Sequence, residues 1–337
     1  MRIGKLDNET LERLVLGRTG AHRDEVIAGA GIGEDCAVLD FGAFDCVLST
    51  DPITASADRV GALAVYISCN DVAAHGTEPV AIMLTVLLPP SVTEDEIAEI
   101  ARQSDEAARD LGVSIIGGHT EITDSVTRPL ISAVALGRAA KQGSKEAPAP
   151  NDLIIVTKSL ALEGTAILAK KQEGNLRRIL TEEELAAAKA MLDRVSVVKE
   201  GVAAGKVGMT AMHDITEGGV LGAVWEVCTR GGVGAEIEMA RLPFEDVSLE
   251  VCAYLGVNPL RLISSGSMLI YIRPDKEAEL TAALAEAGVP VTVIGRVTAA
   301  ADGIVLIGRM GEREVIEPPG PDEVYSAAQN DKTFEAI

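Results

Sequence analysis

Gly29–Asp51 reads GAGIGEDCAVLDFGAFDCVLSTD. Three alternating glycines, Gly29, Gly31 and Gly33, run into two acids, Glu34 and Asp35, and two short apolar runs then end at Asp51. Glycines let a backbone come close to a ligand and tolerate positive φ. Acids beside such a loop repel phosphate, but they hold it through Mg²⁺, which prefers carboxylate oxygens and bridges them to phosphate. The stretch therefore points to a nucleotide-phosphate site built from carboxylates and metal rather than from lysine. The simpler alternative is a glycine-rich hairpin with solvated acids. A P-loop is excluded because no Gly-Lys-Ser or Gly-Lys-Thr follows, and the GxGxxG spacing is absent.

The 337 residues suffice for two domains of ordinary size. At 47% apolar and 24% charged the chain is globular in composition. Aromatics are only 3%, so the cores must be built from Ala, Val, Leu and Ile. The formal net charge of -21 argues against nucleic acid and anionic membranes as partners. It does not argue against a nucleotide, because Mg²⁺ carries the local positive charge. Cys36, Cys46, Cys69, Cys228 and Cys252 lie in apolar runs without a CxxC pair, as expected of buried thiols in a reducing compartment. With no apolar leader after Met1 and no apolar run of about 18 residues, the expected location is the cytoplasm.

Outward from the glycine stretch, residues Asp7 to Gly17 read as a helix and Asp58 to Gly76 as another. In the second, Val60, Leu63, Ala64 and Ile67 make an apolar line that Asp71 extends. An ionised carboxylate on a buried face is costly unless it is paired or metal-bound. Asp71 is thus a metal candidate; capping a neighbouring element or pairing with an arginine is the alternative. Pro79–Leu88 reads as a strand and Glu94–Leu111 as an amphipathic helix opened by Ser91, Thr93 and acids. A strand over Val113–Gly117 is expected to end in Gly117, Gly118, His119, Thr120 and Glu121, a polar cluster where open α/β sheets place ligands. The alternative for His119 is a turn histidine with local hydrogen bonds.

The polar, proline-bearing segment KQGSKEAPAPN, Lys141 to Asn151, sets the expected boundary between domains 1–150 and 151–337. In the second half, a strand over Met209–Met212 is followed by His213, Asp214, Ile215, Thr216, Glu217, Gly218 and Gly219, then by an apolar helix. Backbone N–H groups at a helix start attract anions. Ordinary N-capping by Asp214 or Thr216 is the alternative. The tail from Pro318 is expected to be loosely held.

Five segments, GIGEDCAVL, STDPIT, NDVAAHGTEP, IIGGHTE and HDITEGGVLGA, occur in the order found in the ATP-binding superfamily of aminoimidazole ribonucleotide (AIR) synthase, the PurM-like proteins, which the chain resembles over residues 1 to 318. Its members include the hydrogenase maturation factor HypE, selenophosphate synthetase and thiamine-monophosphate kinase. Length and C-terminal half look most similar to HypE. The resemblance implies an α/β (α+β) fold of two domains: an N-terminal domain that dimerises by closing its sheets into a barrel, and an α/β C-terminal domain. ATP with Mg²⁺ is expected near the dimer interface. Carried over by position, Glu34 and Asp35 match the family's paired acids, Asp51 the acid after its Ser-Thr, Asp71 the acid near the end of its interface helix, and Asp214 the acid opening the second glycine turn.

Three departures accompany the match. HypE ends in a cysteine that carries the carbamoyl group, whereas this sequence ends TFEAI and its last cysteine is Cys252. HypE has an Asp where this chain has His119, and its Asn-Glu-Gly turn is replaced by Ser264, Ser265 and Gly266. The GGHT form is closer to selenophosphate synthetase, but the N-terminal cysteine or selenocysteine of that enzyme is missing.

The expected site comprises metal ligands Asp35, Asp51 and Asp71. Gly31, Gly33, Gly118, Thr120, Gly218 and Gly219 join them around ATP, and His119, His213 and Asp214 are the catalytic candidates, with His213 and Asp214 facing an unidentified second substrate or the transferred phosphoryl group. An ATP-dependent phosphoryl-transfer or dehydrating enzyme is the first expectation. A non-catalytic nucleotide-binding partner of a metallocentre-assembly protein is the second, and a kinase of the thiamine-monophosphate type the third.

Overall fold

The computed structural model describes residues 8–16, 24–34, 36–53, 59–141 and 147–327. Asp35 lies outside them. Two compact units emerge. One holds residues 24–30, 34, 36–53 and 59–141, and the other holds residues 8–16, 31–33 and 147–327.

The first unit is a six-stranded sheet with two helices. Its strands are β1 (Val26–Ala28), β2 (Ala37–Asp40), β3 (Phe44–Ile53), β4 (Pro79–Leu88), β5 (Ser114–Ile122) and β6 (Leu130–Ala140), in the order β1-β2-β3-β6-β4-β5. All neighbours are antiparallel except β4 and β5. A short turn of helix, α1 (Asn8–Leu11), belongs to the other unit; α2 (Val60–Ala74) and α3 (Glu94–Leu111) belong to this one.

Every residue of α2 except Tyr66 is buried. The apolar line read for this helix widens to its whole circumference: α2 has no wet face, and Ser68, Asn70 and Asp71 are buried along with its aliphatic residues. Such an all-round apolar helix belongs inside a protein. By contrast α3 is amphipathic as expected. Thr93 and Glu96 close a capping box at its start, and Gly112 ends it in the left-handed conformation.

The second unit contains β7 (Leu153–Thr157), α4 (Leu162–Lys171), α5 (Glu173–Leu176), α6 (Glu182–Ala190), α7 (Val198–Val207), β8 (Ala211–Asp214), α8 (Gly219–Gly231), β9 (Gly234–Glu238), α9 (Asp246–Leu255), β10 (Met268–Ile272), α10 (Glu277–Glu286), β11 (Val291–Thr298), β12 (Ile304–Ile307), β13 (Arg313–Val315) and α11 (Glu323–Ala327). The strands form one sheet, β13-β12-β9-β11-β7-β10-β8, antiparallel except for β9 with β12. Its core is aliphatic, as the low aromatic content requires; Ile154, Val156, Val224, Val227, Leu269 and Ile294 are fully or almost fully buried.

Two local expectations are corrected. The strand expected over Val113–Gly117 runs on to Ile122, so Gly117–Glu121 lie within an edge strand rather than in a loop beyond its end. The tail is not loose where it is described. Asp322 and Val324 are 2% and 3% exposed, and α11 follows.

Candidate functional site

In the first unit, β3 alternates burial so that Asp45, Val47, Ser49 and Asp51 share one face. On that face the Ser49 hydroxyl donates to Asp71 Oδ2. From α2, one turn before Asp71, the Ser68 hydroxyl donates to the carbonyl of Ala133, the residue paired with Asp51 across the ladder. Asp51 and Asp71 are thereby brought to one side of the sheet, Asp71 buried at 6% exposure. Hard carboxylate oxygens held in this way suit Mg²⁺. No group of three acid, histidine or cysteine side chains closes around a metal position among the described residues, of which Asp35 is not one. Cys36, beside Asp35, donates its thiol to the backbone carbonyl of Asp71, 3.2 Å away, which ties the chain next to Asp35 to the end of α2.

His119 and Thr120 are exposed on β5, and the His119 Nε2 lies 3.1 Å from Glu121 Oε2. Gly118 sits at φ 144, where a Cβ would lie 1.9 Å from the Leu84 carbonyl oxygen. Its glycine is therefore demanded by the neighbouring strand. A mostly apolar cleft of about 350 Å³ runs between α3 and this part of the sheet, with Leu84, Ile100, Gly118, His119 and Thr120 on its wall.

In the second unit His213 and Asp214 are the last two residues of β8, not the start of the loop after it, and are 5% and 1% exposed. His213 Nε2 is 3.0 Å from Glu226 Oε2 on α8, and its Nδ1 is 3.7 Å from Asp214 Oδ1. Gly218 and Gly219 open α8 at φ 88 and 62. A Cβ on Gly219 would lie 2.6 Å from the Leu260 carbonyl oxygen, so packing alone accounts for that glycine. The N–H of Gly218 donates to Asp322 Oδ2 at 2.8 Å. Gly31 and Gly33 also belong to this unit: Arg230 of α8 donates from Nη1 to the Gly33 carbonyl at 2.6 Å.

Several residues at these positions carry no sequence signal of their own. Ser49 and Glu226 are polar residues one alternation or one helical turn from apolar neighbours, and only the fold names their partners. Glu163, 5% exposed at the start of α4, is held by a hydrogen bond from Ser265. Burial pushes its carboxyl up to about 7, with the negative charges of Asp322, Glu217 and Asp214 adding to the effect. An acid inside the apolar run LALEGTAILA was the available clue.

AIR synthase related protein, N-terminal domain, matches residues 33–139, and AIR synthase related protein, C-terminal domain, matches residues 149–308. The chain belongs to the AIR synthase related family. Among its relatives, a Methanocaldococcus jannaschii protein provisionally named hydrogenase expression/formation protein is 25% identical over 333 residues, covering 94% of this chain and 95% of its own. Carbamoyl dehydratase HypE of Rhizobium leguminosarum bv. viciae is 25% identical over 278 residues, 79% and 77% of the two chains. Thiamine-monophosphate kinase of Methanospirillum hungatei is 28% identical over 282 residues, 79% and 86% of the two chains.

Solved structures of the family share the two-domain PurM-like fold. ThiL complexed with AMPPCP and TMP superposes at a TM-score of 0.74 with 20% identity, over 96% of this chain and 98% of that one. The HypE–HypF complex gives 0.73 with 21% identity, over 86% and 94%. HypE in complex with ATP gives 0.72 with 21% identity, over 86% and 89%. No helix among the described residues is long and apolar enough to cross a membrane.

Proposed function

We propose that this AIR synthase related chain binds ATP with Mg²⁺ and uses it to activate a second substrate, by phosphoryl transfer or by ATP-driven dehydration. One observation carries the reading: the buried Asp71 carboxylate is held by Ser49, on the strand face that also bears Asp51. In this reading Asp51 and Asp71, with Asp35, hold the metal. Bound there, Mg²⁺ would neutralise the phosphates that an acidic protein otherwise repels. Gly31 and Gly33, and separately Gly118 and Thr120, are nucleotide-binding candidates. His213 and Asp214, with the Gly218–Gly219 turn, face the second substrate, and His119 is the exposed catalytic candidate on β5. Phosphoryl transfer asks chiefly for positioning and charge neutralisation, which this set supplies. The relatives solved with ATP and with AMPPCP support the nucleotide part. A division of the chain at residue 150 belongs to the same reading.

Calorimetric titration with ATP, with and without Mg²⁺, tests it. Mg²⁺-dependent binding followed by ADP release is expected. Binding without turnover selects the second reading, a nucleotide-dependent partner of a metallocentre-assembly protein, which the likeness to HypE in complex with HypF favours. No binding under either condition sinks both.

We place the working form as a homodimer in the cytoplasm. On the face of the first sheet that α2 and α3 leave open, Met83 is 44% exposed, and Leu48, Val134 and Leu136 are half-buried. An open apolar sheet face of this kind marks an association surface. The free cysteines fit a reducing compartment.

A further inference from the structure

Residues 317–327 lie past residue 308, the last matched to the family, and cross the glycine turn at the start of α8. Hydrogen bonds strap them down. Arg261 donates from Nη2 to the Glu317 carbonyl at 3.1 Å and from Nη1 to the Pro318 carbonyl at 3.5 Å. The N–H of Asn258 donates to Glu323 Oε2 at 3.4 Å. The N–H of Gly218 donates to Asp322 Oδ2 at 2.8 Å, and the Tyr325 hydroxyl donates to Glu217 Oε1 at 3.0 Å. A cavity of about 340 Å³ remains between strap and turn, lined by Gly218, Arg261, Pro318 and Gly320 among others.

Under the strap the fold gathers carboxyl groups. Glu163 on α4 is buried, and its Oε2 has no hydrogen-bond partner. Facing it are Ser265 from the loop before β10, Asp214 from the end of β8, Glu217 from the glycine turn, and Asp322 from the strap itself. Asp322 faces Glu217 and accepts from the N–H groups of Gly218, Val324 and Ile263. Tyr325 faces Glu217, Asp322 and Glu163. His213 stands 3.7 Å from Asp214, and the Arg261 guanidinium is turned to strap carbonyls.

We propose that residues 317–327 form a pH-gated strap over the Gly218–Gly219 turn, shut while the carboxyl pair Glu163 and Asp322 carries a proton and loosened when both are ionised. The physical reason is crowding of like charge away from water. A proton on Glu163 removes one of the charges and lowers the cost of leaving its Oε2 without a partner, whereas ionisation of both Glu163 and Asp322 beside Glu217 opposes closure. Lifting the strap returns Asp322 and Tyr325 to solvent and opens a path for water to Glu163. Burial pushes Glu163 up to about 7 and Asp322 up to about 6 in the shut state. Both shifts are upward, so closure takes up protons. It is strongest in acid and weakens as pH rises through 6 to 7. The strap does not depend on nucleotide binding, and its test contains no nucleotide.

Hydrogen exchange followed by mass spectrometry on the full chain between pH 6 and pH 8, corrected for the intrinsic rate, reads the strap directly. Peptides covering 317–327 and 216–222 should lose protection by roughly ten-fold across that range, while β10 stays unchanged. E163Q, neutral at every pH, should hold the strap shut throughout and abolish the trend. Protection of 317–327 that does not vary with pH in the unaltered protein overturns the proposal, as does an undiminished trend in E163Q. If E163Q does not fold, Y325F serves instead: it should lower strap protection at both pH values while β10 is unaffected, and unaltered protection would count against the strap.

Discussion

The Asp71 carboxylate, on a helix that is buried on nearly every side, accepts the hydroxyl of Ser49 from the neighbouring strand. This contact fixes the orientation of the carboxylate and sets it on the same face as Asp51. A neutral isostere keeps the hydrogen bond and removes the charge. Asp71→Asn is therefore expected to weaken Mg²⁺-ATP binding by about ten-fold, roughly 1.4 kcal/mol, with the melting temperature moving by no more than about 4 °C. Calorimetry beside a thermal melt checks both parts, and unaltered affinity removes Asp71 from the metal site.

Gly33 has φ 72, and a Cβ there would lie 3.3 Å from the backbone oxygen of Glu226 on α8. Gly33→Val adds a β-branched side chain to a left-handed position at a cost of about 1–2 kcal/mol. The loop should shift off α8, breaking the Arg230 contact to the Gly33 carbonyl. Nucleotide affinity should fall while the two sheets keep their exchange protection. Wild-type affinity in this variant would reduce the loop to packing.

Gly118 presents a steeper case. A Cβ at 1.9 Å from the Leu84 oxygen cannot be accommodated without moving β5 off β4. Gly118→Ala should cost more than about 2 kcal/mol in urea denaturation, or prevent folding of the first unit. The companion Gly117 meets nothing within 4 Å, so Gly117→Ala should cost less, only the strain of its φ of 150.

Lys158 and Glu200 form a buried pair at 2.8 Å, 17% and 3% exposed. Lys158 also donates to the carbonyls of Arg194 and Ser196, which ties β7 to the start of α7. Burial pulls the lysine below its ordinary pKa, while Glu200 opposes that shift. Lys158→Met strands a buried carboxylate and should cost about 3–5 kcal/mol, a drop of roughly 10 °C in melting temperature. Adding Glu200→Gln should recover part of the loss, which a double-mutant cycle measures.

Met83 stands on the open face of the first sheet. A charge placed there opposes association without touching the buried face of β4. Met83→Asp should convert a dimer to a monomer by light scattering, with circular dichroism unchanged. A variant that remains dimeric would move the interface elsewhere.

Much of this protein could be read from order and periodicity. The amphipathic α3 and its capping box follow from Thr93, Glu96 and the apolar spacing. Strands such as Leu153–Thr157 and Met268–Ile272 follow from short β-rich runs between turns. The acids Asp51, Asp71 and Asp214 stand out because each interrupts or ends an apolar stretch, and five ordered motifs identify the family.

What local sequence could not carry was decided by neighbours far along the chain. Gly117–Glu121 look like the end of a strand, yet pairing with β4 draws them into it. Asp71 lies on a helix without a wet face because α3 and the sheet enclose it, not because of its own spacing. The last described residues read as a polar tail, but Gly218, 104 positions earlier, holds Asp322 in place. Periodicity reports which face a residue occupies. Only tertiary contact reports which carboxyl groups share one water-poor space, and it is that proximity which sets their charge.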